Sequence, residues 1–273
     1  METSNNKTIY INHVEDEIII CTLNRPEASN AFNSKMAEEI YTFFEEFSVG
    51  NKKTRVIILT GNGKKAFCAG GDLKERNEMT SQKWFIQHKL FERMIRSIKD
   101  CPVPIIAAVN GGAFGGGNEL VVMCDLAIAA ESAQLGQTGV KVGSAPVLGG
   151  TNLLAMTVGE KRAKEVSFLC RKYSAEEAYE LGWINKVVPD EMLHEEVERW
   201  CEEIIQMSPR YLEVAKASSN VMYHQMRDNM VNSLGALIQA IGSPDMLEGA
   251  NAFMEKRKPQ FPPRSGPGNK SND

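Results

Sequence analysis

The chain has 273 residues, 42% of them hydrophobic and 24% charged, enough to bury a sizeable core in one or two globular domains. Its 31 basic and 35 acidic residues are scattered and leave a net charge of −4, so the chain carries no electrostatic footprint for a nucleic acid, and a polyanionic ligand has to be gripped locally. The opening METSNNKTIY lacks an apolar signal segment and no apolar run approaches the roughly 20 residues that span a bilayer, so a cytoplasmic protein with no membrane partner is expected.

From the N-terminus, residues 8–13 and 17–23 are rich in β-branched side chains and flank the acidic turn Glu15-Asp16-Glu17, the pattern of an antiparallel hairpin. The turn-rich stretch NRPEASNAF follows. Apolar positions at helical spacing then run over 34–48, with Ser34 as the expected N-cap, and Arg55–Thr60 reads as a short buried strand. The loop GNGKKAFCAGGD leads into another helix. This succession recurs, with PIIAAV (104–109) running into FGGGNEL and CDLAIAA (124–130) into a loop at 131–150, which predicts βα units and a largely parallel sheet. From about residue 160 the spacing is helical, interrupted at Gly182, Pro189, Pro209 and Pro244, so an all-helical region should follow the α/β core. The expected division is a core over 1–200, a helical region over 201–262 and a flexible polar tail over 263–273.

Two glycine loops stand out. In FGGGNEL (114–120), three glycines and one acid interrupt core-like sequence, and CAGGD (68–72) has the same construction, with Asp72 placed to cap the next helix. Glycine lets a backbone approach a ligand closely, and the first amides of a helix lack intrahelical partners. The glycines either permit close packing of helix on strand or present amides to a ligand oxygen. Their joint occurrence favours the second, an oxyanion hole for a thioester or ester carbonyl.

Together, AFCAGGDLKE, AAVNGGAFGGGNEL, CDLAIAAESAQLGQ and EGANAFMEKRKPQF resemble the crotonase (enoyl-CoA hydratase/isomerase) superfamily over nearly the whole chain. The resemblance implies an α/β fold, a crotonase-type spiral of ββα repeats followed by a helical C-terminal trimerisation region. It also implies a homotrimer or dimer of trimers and an acyl-CoA thioester as substrate, coenzyme A being part of that substrate and no cofactor being needed. By position, the amides of Gly71 and Gly116 would hold the thioester oxygen, and Glu119 would be one of two acid/base glutamates.

The second glutamate is missing. Hydratases of the family read GQPE where this chain has Gly136-Gln137-Thr138-Gly139, so Gly139 stands at the acid's place. GQTG followed by KVGS is similar to dihydroxynaphthoyl-CoA synthases, whose glycine leaves room for bicarbonate. Those enzymes, however, carry an apolar residue at the place of Glu119, and an aspartate where Pro146 stands here. GGGNE with the spaced pattern over 136–150 also resembles ring-opening hydrolases of cyclic oxo-acyl-CoA, which are longer chains. The resulting expectation is a lyase or hydratase acting on an α,β-unsaturated acyl-CoA, linear or cyclic. The alternatives are a C–C bond hydrolase and a non-catalytic acyl-CoA-binding member.

The sequence offers Arg25, after the second strand, as a cation for the anionic CoA, and the resemblance further assigns Trp84, Phe85 and His88 to the acyl pocket wall, Ala69 beside the first glycine loop, and Phe253 and Lys256 toward CoA. It takes the last two from the final helix of a neighbouring subunit. Trp84 and Phe85 in such a place are more often ordinary core or pocket wall than specificity devices, a solvent-facing side chain is the alternative for His88, and core phenylalanine and surface lysine would explain Phe253 and Lys256 equally well. Lys141 and Ser144 stand where a polar substrate end would lie, although loop lysines are usually solvated, and the run 195–199 reads as a solvated helix face. Asp125 reads as a structural cap or pair. The six cysteines are dispersed with no CxxC pair and the four histidines do not cluster, so buried reduced thiols and no metal site are expected. Cys68 has no histidine partner in sequence, which argues against a nucleophile.

Overall fold

The structure, a computed structural model, describes residues 7–14, 16–50, 53–77 and 79–263. Glu15 of the expected turn and nearly all of the expected tail lie outside the described residues. The hairpin is present as β1 (Ile9–Val14) and β2 (Ile18–Leu23), paired antiparallel. Then come α1 (Ser34–Gly50), β3 (Val56–Gly61), β4 (Ala66–Cys68), α2 (Leu73–Asn77), α3 (Ser81–Lys99), β5 (Ile105–Val109), β6 (Gly112–Phe114) and α4 (Gly116–Met123). They are followed by β7 (Leu126–Ala130), β8 (Gln134–Gly136), α5 (Asn152–Val158), α6 (Glu160–Leu169), β9 (Tyr173–Ser174), α7 (Ala175–Glu180) and β10 (Lys186–Val188). Four helices complete the described residues: α8 (Leu193–Ile205), α9 (Pro209–Ser219), α10 (Val221–Gln239) and α11 (Pro244–Met254).

The strands form two sheets. One has the order β1-β2-β3-β5-β7-β10 and the other β4-β6-β8-β9, and all pairs are parallel except β1 with β2 and β8 with β9. After the opening hairpin, whose two strands both join the large sheet, three successive repeats (β3-β4, β5-β6 and β7-β8) lay one strand in the large sheet and the next in the small one before the following helices, which is a ββα spiral. The central strands of the large sheet, β3, β5 and β7, are buried on both faces. Ile57, Leu59, Ala107 and Ala129 join the core shared with α1 and α3, while Ile58, Ile106 and Ile128 pack with Leu193, Val197 and Cys201 of α8. That two-sided burial is why these strands read as continuous apolar runs.

Two expectations need correction. The region after residue 160 is not all helical, because Tyr173–Ser174 and Lys186–Val188 return to the two sheets as β9 and β10. The helical part begins at Leu193, so a boundary at 200 would cut through α8. Ser34 is the first residue of α1 and not its cap. Asn33 supplies the cap, its Oδ1 accepting from the Met36 amide at 2.9 Å, while the Ser34 amide donates to Glu75 and its hydroxyl accepts from Gln87. Pro209 and Pro244 start helices at positions where an amide hydrogen is not needed.

Candidate active site

The two glycine loops are brought together by the small sheet. β4 and β6 run side by side, so the chain leaves both at the same end, and the start of α4 lies against β4. The fit admits no side chain: a Cβ on Gly117 would lie 1.9 Å from the Cys68 carbonyl oxygen, and one on Gly116 would lie 2.5 Å from Cζ of Phe32. Gly70, with φ +98°, approaches so closely that a Cβ there would sit 3.0 Å from the Gly116 nitrogen.

Gly71 bridges to Phe32, but the bonds belong to its neighbours. The Phe32 amide donates to Gly70 and the Asp72 amide donates to Phe32, which leaves the Gly71 amide turned away. Neither the Gly71 nor the Gly116 amide has a protein acceptor among the described residues, and both glycines line one cavity of about 510 Å³. Asp72 caps α2 as expected, its Oδ1 accepting from the amides of Lys74 and Glu75.

Glu119 lies in the first turn of α4 and lines the same cavity, with 7% of its surface exposed. Its Oε1 accepts from the amides of Leu148 at 2.8 Å and Gly150 at 3.2 Å, so Oε2 is the oxygen available to the cavity. Burial pushes the carboxyl up to about 7, against the opposing pull of those two amides. Near neutral pH the group can therefore both take and return a proton. Gln137 supports the loop that supplies Gly150, its Nε2 being 2.3 Å from where a Cβ on Gly150 would stand. The side-chain amides of Gln137 and Asn118 are buried with no hydrogen-bond partner among the described residues.

A sequence model described as enoyl-CoA hydratase/isomerase matches residues 13–264. The chain belongs to the enoyl-CoA hydratase/isomerase family. Among solved structures it is similar to an enoyl-CoA hydratase from Bacillus anthracis at 34% identity and TM-score 0.77, covering 93% of this chain and 99% of that one. It is also similar to an enoyl-CoA hydratase from Mycobacterium smegmatis, at 31% identity and TM-score 0.75 with the same coverage. An enoyl-CoA hydratase/isomerase from Xanthobacter autotrophicus matches at 28% identity and TM-score 0.83, covering 91% and 93% of the two chains.

This member of the family has Gly139 in the cavity wall with ordinary helical backbone, φ −55° and ψ −48°. A Cβ there would meet Pro146 and Ala145 at 3.5–3.6 Å, normal contact distance, so the backbone does not demand glycine at this place. Trp84 and His88 line the cavity from α3, and His88 is buried, where a solvent-facing position was the alternative. Its Nδ1 lies 3.0 Å from the Trp84 carbonyl oxygen, an acceptor, so Nδ1 carries the proton. Burial holds the ring neutral with a pKa near 4.

Phe85 is corrected: it is 41% exposed and does not line the cavity, because the next residue along a helix points about 100° away from Trp84. Ala69 and Arg25 do line it, but the Arg25 charge is already engaged by Asp72 at 2.8 Å, and its guanidinium also donates to the Ala31 carbonyl oxygen. Phe253 lines the cavity of its own chain, together with Met254. The cause is the crossing of α11 over the 140–143 turn, where a Cβ on Gly249 would lie 2.3 Å from the Gly143 nitrogen. Lys256 sits beyond the helix end, exposed and outside the cavity wall. Ser144 lines the cavity and Lys141 does not. Cys68 is buried and its thiol is pushed up to about 12, while Asp125 is structural, bonded to the Ile105 amide and Lys216.

Several lining residues escaped the sequence reading, among them Arg76, Phe32 and Phe91. Arg76 lies one turn beyond the glycine loop, its amide donating to the Asp72 carbonyl, but no spacing in the sequence marks it as a buried cation.

Proposed function

We propose that the chain is a lyase or hydratase acting on an α,β-unsaturated acyl-CoA, linear or cyclic. The observation that carries this reading is the placement of Glu119 in one cavity with two acceptor-free amides, those of Gly71 and Gly116. The amides receive the thioester oxygen as its negative charge grows. Glu119, as carboxylate, takes a proton from water; the hydroxide adds to Cβ and the electron pair of the double bond moves toward the thioester oxygen. The same proton then returns from Glu119 to Cα, so one carboxyl group balances the addition.

Coenzyme A enters as part of the substrate and leaves with the product, and the setting is the cytoplasm. A homotrimer or dimer of trimers belongs to the reading, supported by exposed apolar side chains on α9 and α10 such as Tyr211, Val214, Val221 and Met222. The space at Gly139 favours a second reading, hydrolysis of a C–C bond in a cyclic β-oxoacyl-CoA with the same amides and a Glu119-activated water. Mass analysis of products from linear enoyl-CoA, cyclic enoyl-CoA and cyclic oxo-acyl-CoA separates the two. Water gained with the ring intact supports the first, ring opening supports the second, and no turnover of any substrate overturns both.

A further inference from the structure

Arg76 lines the cavity with 7% of its surface exposed, and no carboxylate among the described residues pairs with it. One amino group donates to the Gly143 carbonyl oxygen at 2.7 Å, and the guanidinium carbon lies 4.7 Å above the centre of the Trp84 ring. Its Nε and the indole Nε1 of Trp84 are both buried hydrogen-bond donors with no acceptor among the described residues. A guanidinium taken out of water without a counter-charge costs several kcal/mol, and unmet donors add to that cost. Burial alone pulls Arg76 down to about 10, which leaves it charged at neutral pH. The neighbouring His88 is neutral, so it neither compensates the cation nor adds a second one.

We propose that the Arg76 guanidinium binds a carboxylate on the acyl group, so that the substrate class is the monothioester of an unsaturated dicarboxylic acid with coenzyme A. This rests on the acyl-CoA reading above. A carboxylate supplies both the missing charge and the acceptor for planar guanidinium donors, which a neutral carbonyl or hydroxyl does not. The aromatic walls, Trp84 and Phe91, accommodate the carbon chain between that carboxylate and the thioester.

The test compares two unreactive ligands that differ only at the acyl end, adipoyl-CoA and hexanoyl-CoA, by calorimetric titration on the wild-type protein and on Arg76→Met and Arg76→Lys. Adipoyl-CoA should bind wild type about 10- to 100-fold more tightly, the scale of a hydrogen bond to a charged group. The ratio should fall to about one in Arg76→Met and recover in part in Arg76→Lys. Equal affinities in wild type overturn the proposal and leave Arg76 as a strap on Gly143. A wild-type preference that survives in a folded Arg76→Met overturns it as well. Equal weakening of both ligands by Arg76→Met assigns the cation to the CoA phosphates, which also overturns it. Binding of neither ligand to wild type defeats the acyl-CoA reading itself, and the proposal with it. The wild-type comparison holds even if the variants do not fold.

Discussion

Gly249 of the last helix crosses Gly143 so closely that a Cβ on Gly249 would stand 2.3 Å from the Gly143 nitrogen and 2.5 Å from the Val142 carbonyl carbon. That crossing holds α11 over the turn whose Gly143 oxygen receives Arg76, and it carries Phe253 and Met254 to the cavity wall. The C-terminal helix and the binding cavity are thus coupled through one glycine pair.

Gly249→Ala should lift α11, because the clashing atoms are backbone and cannot rotate away; forcing a methyl group into such a contact costs about 1–3 kcal/mol. Glu119 is not on this helix, so KM for acyl-CoA should rise while kcat changes little. Steady-state kinetics combined with hydrogen exchange of α11 checks this. An unchanged KM with undiminished protection of the helix would mean the crossing is looser than described.

Replacing Gly116 by proline removes one of the two free amides and should lower kcat by about 10²–10³. Any side chain at this place meets Phe32, so Gly116→Ala is the needed control, adding the same 2.5 Å conflict while keeping the amide. The donor's contribution is the difference between the variants. Equal kcat in two folded variants would remove the Gly116 amide from the proposed chemistry.

Glu119 links pH to both stability and turnover. Its folded-state pKa, about 7, lies above the ordinary 4.5, so the folded protein holds this proton more tightly than the unfolded chain. The resulting stability is complete below about pH 4.5 and is lost as pH rises through 7, a total on the order of 3 kcal/mol. Glu119→Gln is neutral at every pH, so urea unfolding from pH 5 to pH 8 should show the variant gaining on wild type. A constant difference would mean burial does not raise the carboxyl. With the carboxylate as base, wild-type kcat/KM should rise with pH around a midpoint near 7, and the variant should lose about 10²–10⁴ in kcat with little change in binding.

What the sequence makes legible follows from how many residues carry a signal. The long apolar strands and helical spacings define the α/β order, but β4, β6 and β8 have three residues each, too few to show alternation. Gly71, Gly116 and Glu119 are readable because close backbone approach requires glycine and few other reasons place an acid after three of them. Arg76 is not readable as a buried charge, since its burial depends on Gly143, 67 residues away, and a helical arginine ordinarily reads as solvated. Phe253 points into its own chain's cavity only because α11 crosses at Gly143. The run 195–199, read as a solvated face, conceals Glu196, which bonds Lys186, Arg199 and the Trp200 indole and is held down to about 2 chiefly by Arg199.

Gly139→Glu decides between the linear and cyclic substrates. The backbone there is ordinary helix and a Cβ would make only normal contacts with Pro146 and Ala145, so the variant should fold. The added carboxylate shares the cavity with Glu119, and two carboxylates in one site raise each other's cost of ionisation. In a pocket built for a linear chain, the second acid should preserve or raise hydration of crotonyl-CoA. In a pocket whose glycine makes room for a ring, the side chain occupies that room, and turnover of a cyclic substrate such as cyclohex-1-ene-carbonyl-CoA should fall by about 10² or more, the scale on which a misplaced reacting group costs rate. The ordinary backbone conformation favours the second outcome, because a glycine not required by its dihedral angles is explained by the space it leaves. Cyclic turnover that survives the substitution unchanged, measured beside crotonyl-CoA hydration on the same preparation, would show that Gly139 creates no needed space, and a wild-type protein that hydrates crotonyl-CoA but leaves the cyclic substrate untouched would overturn the cyclic reading.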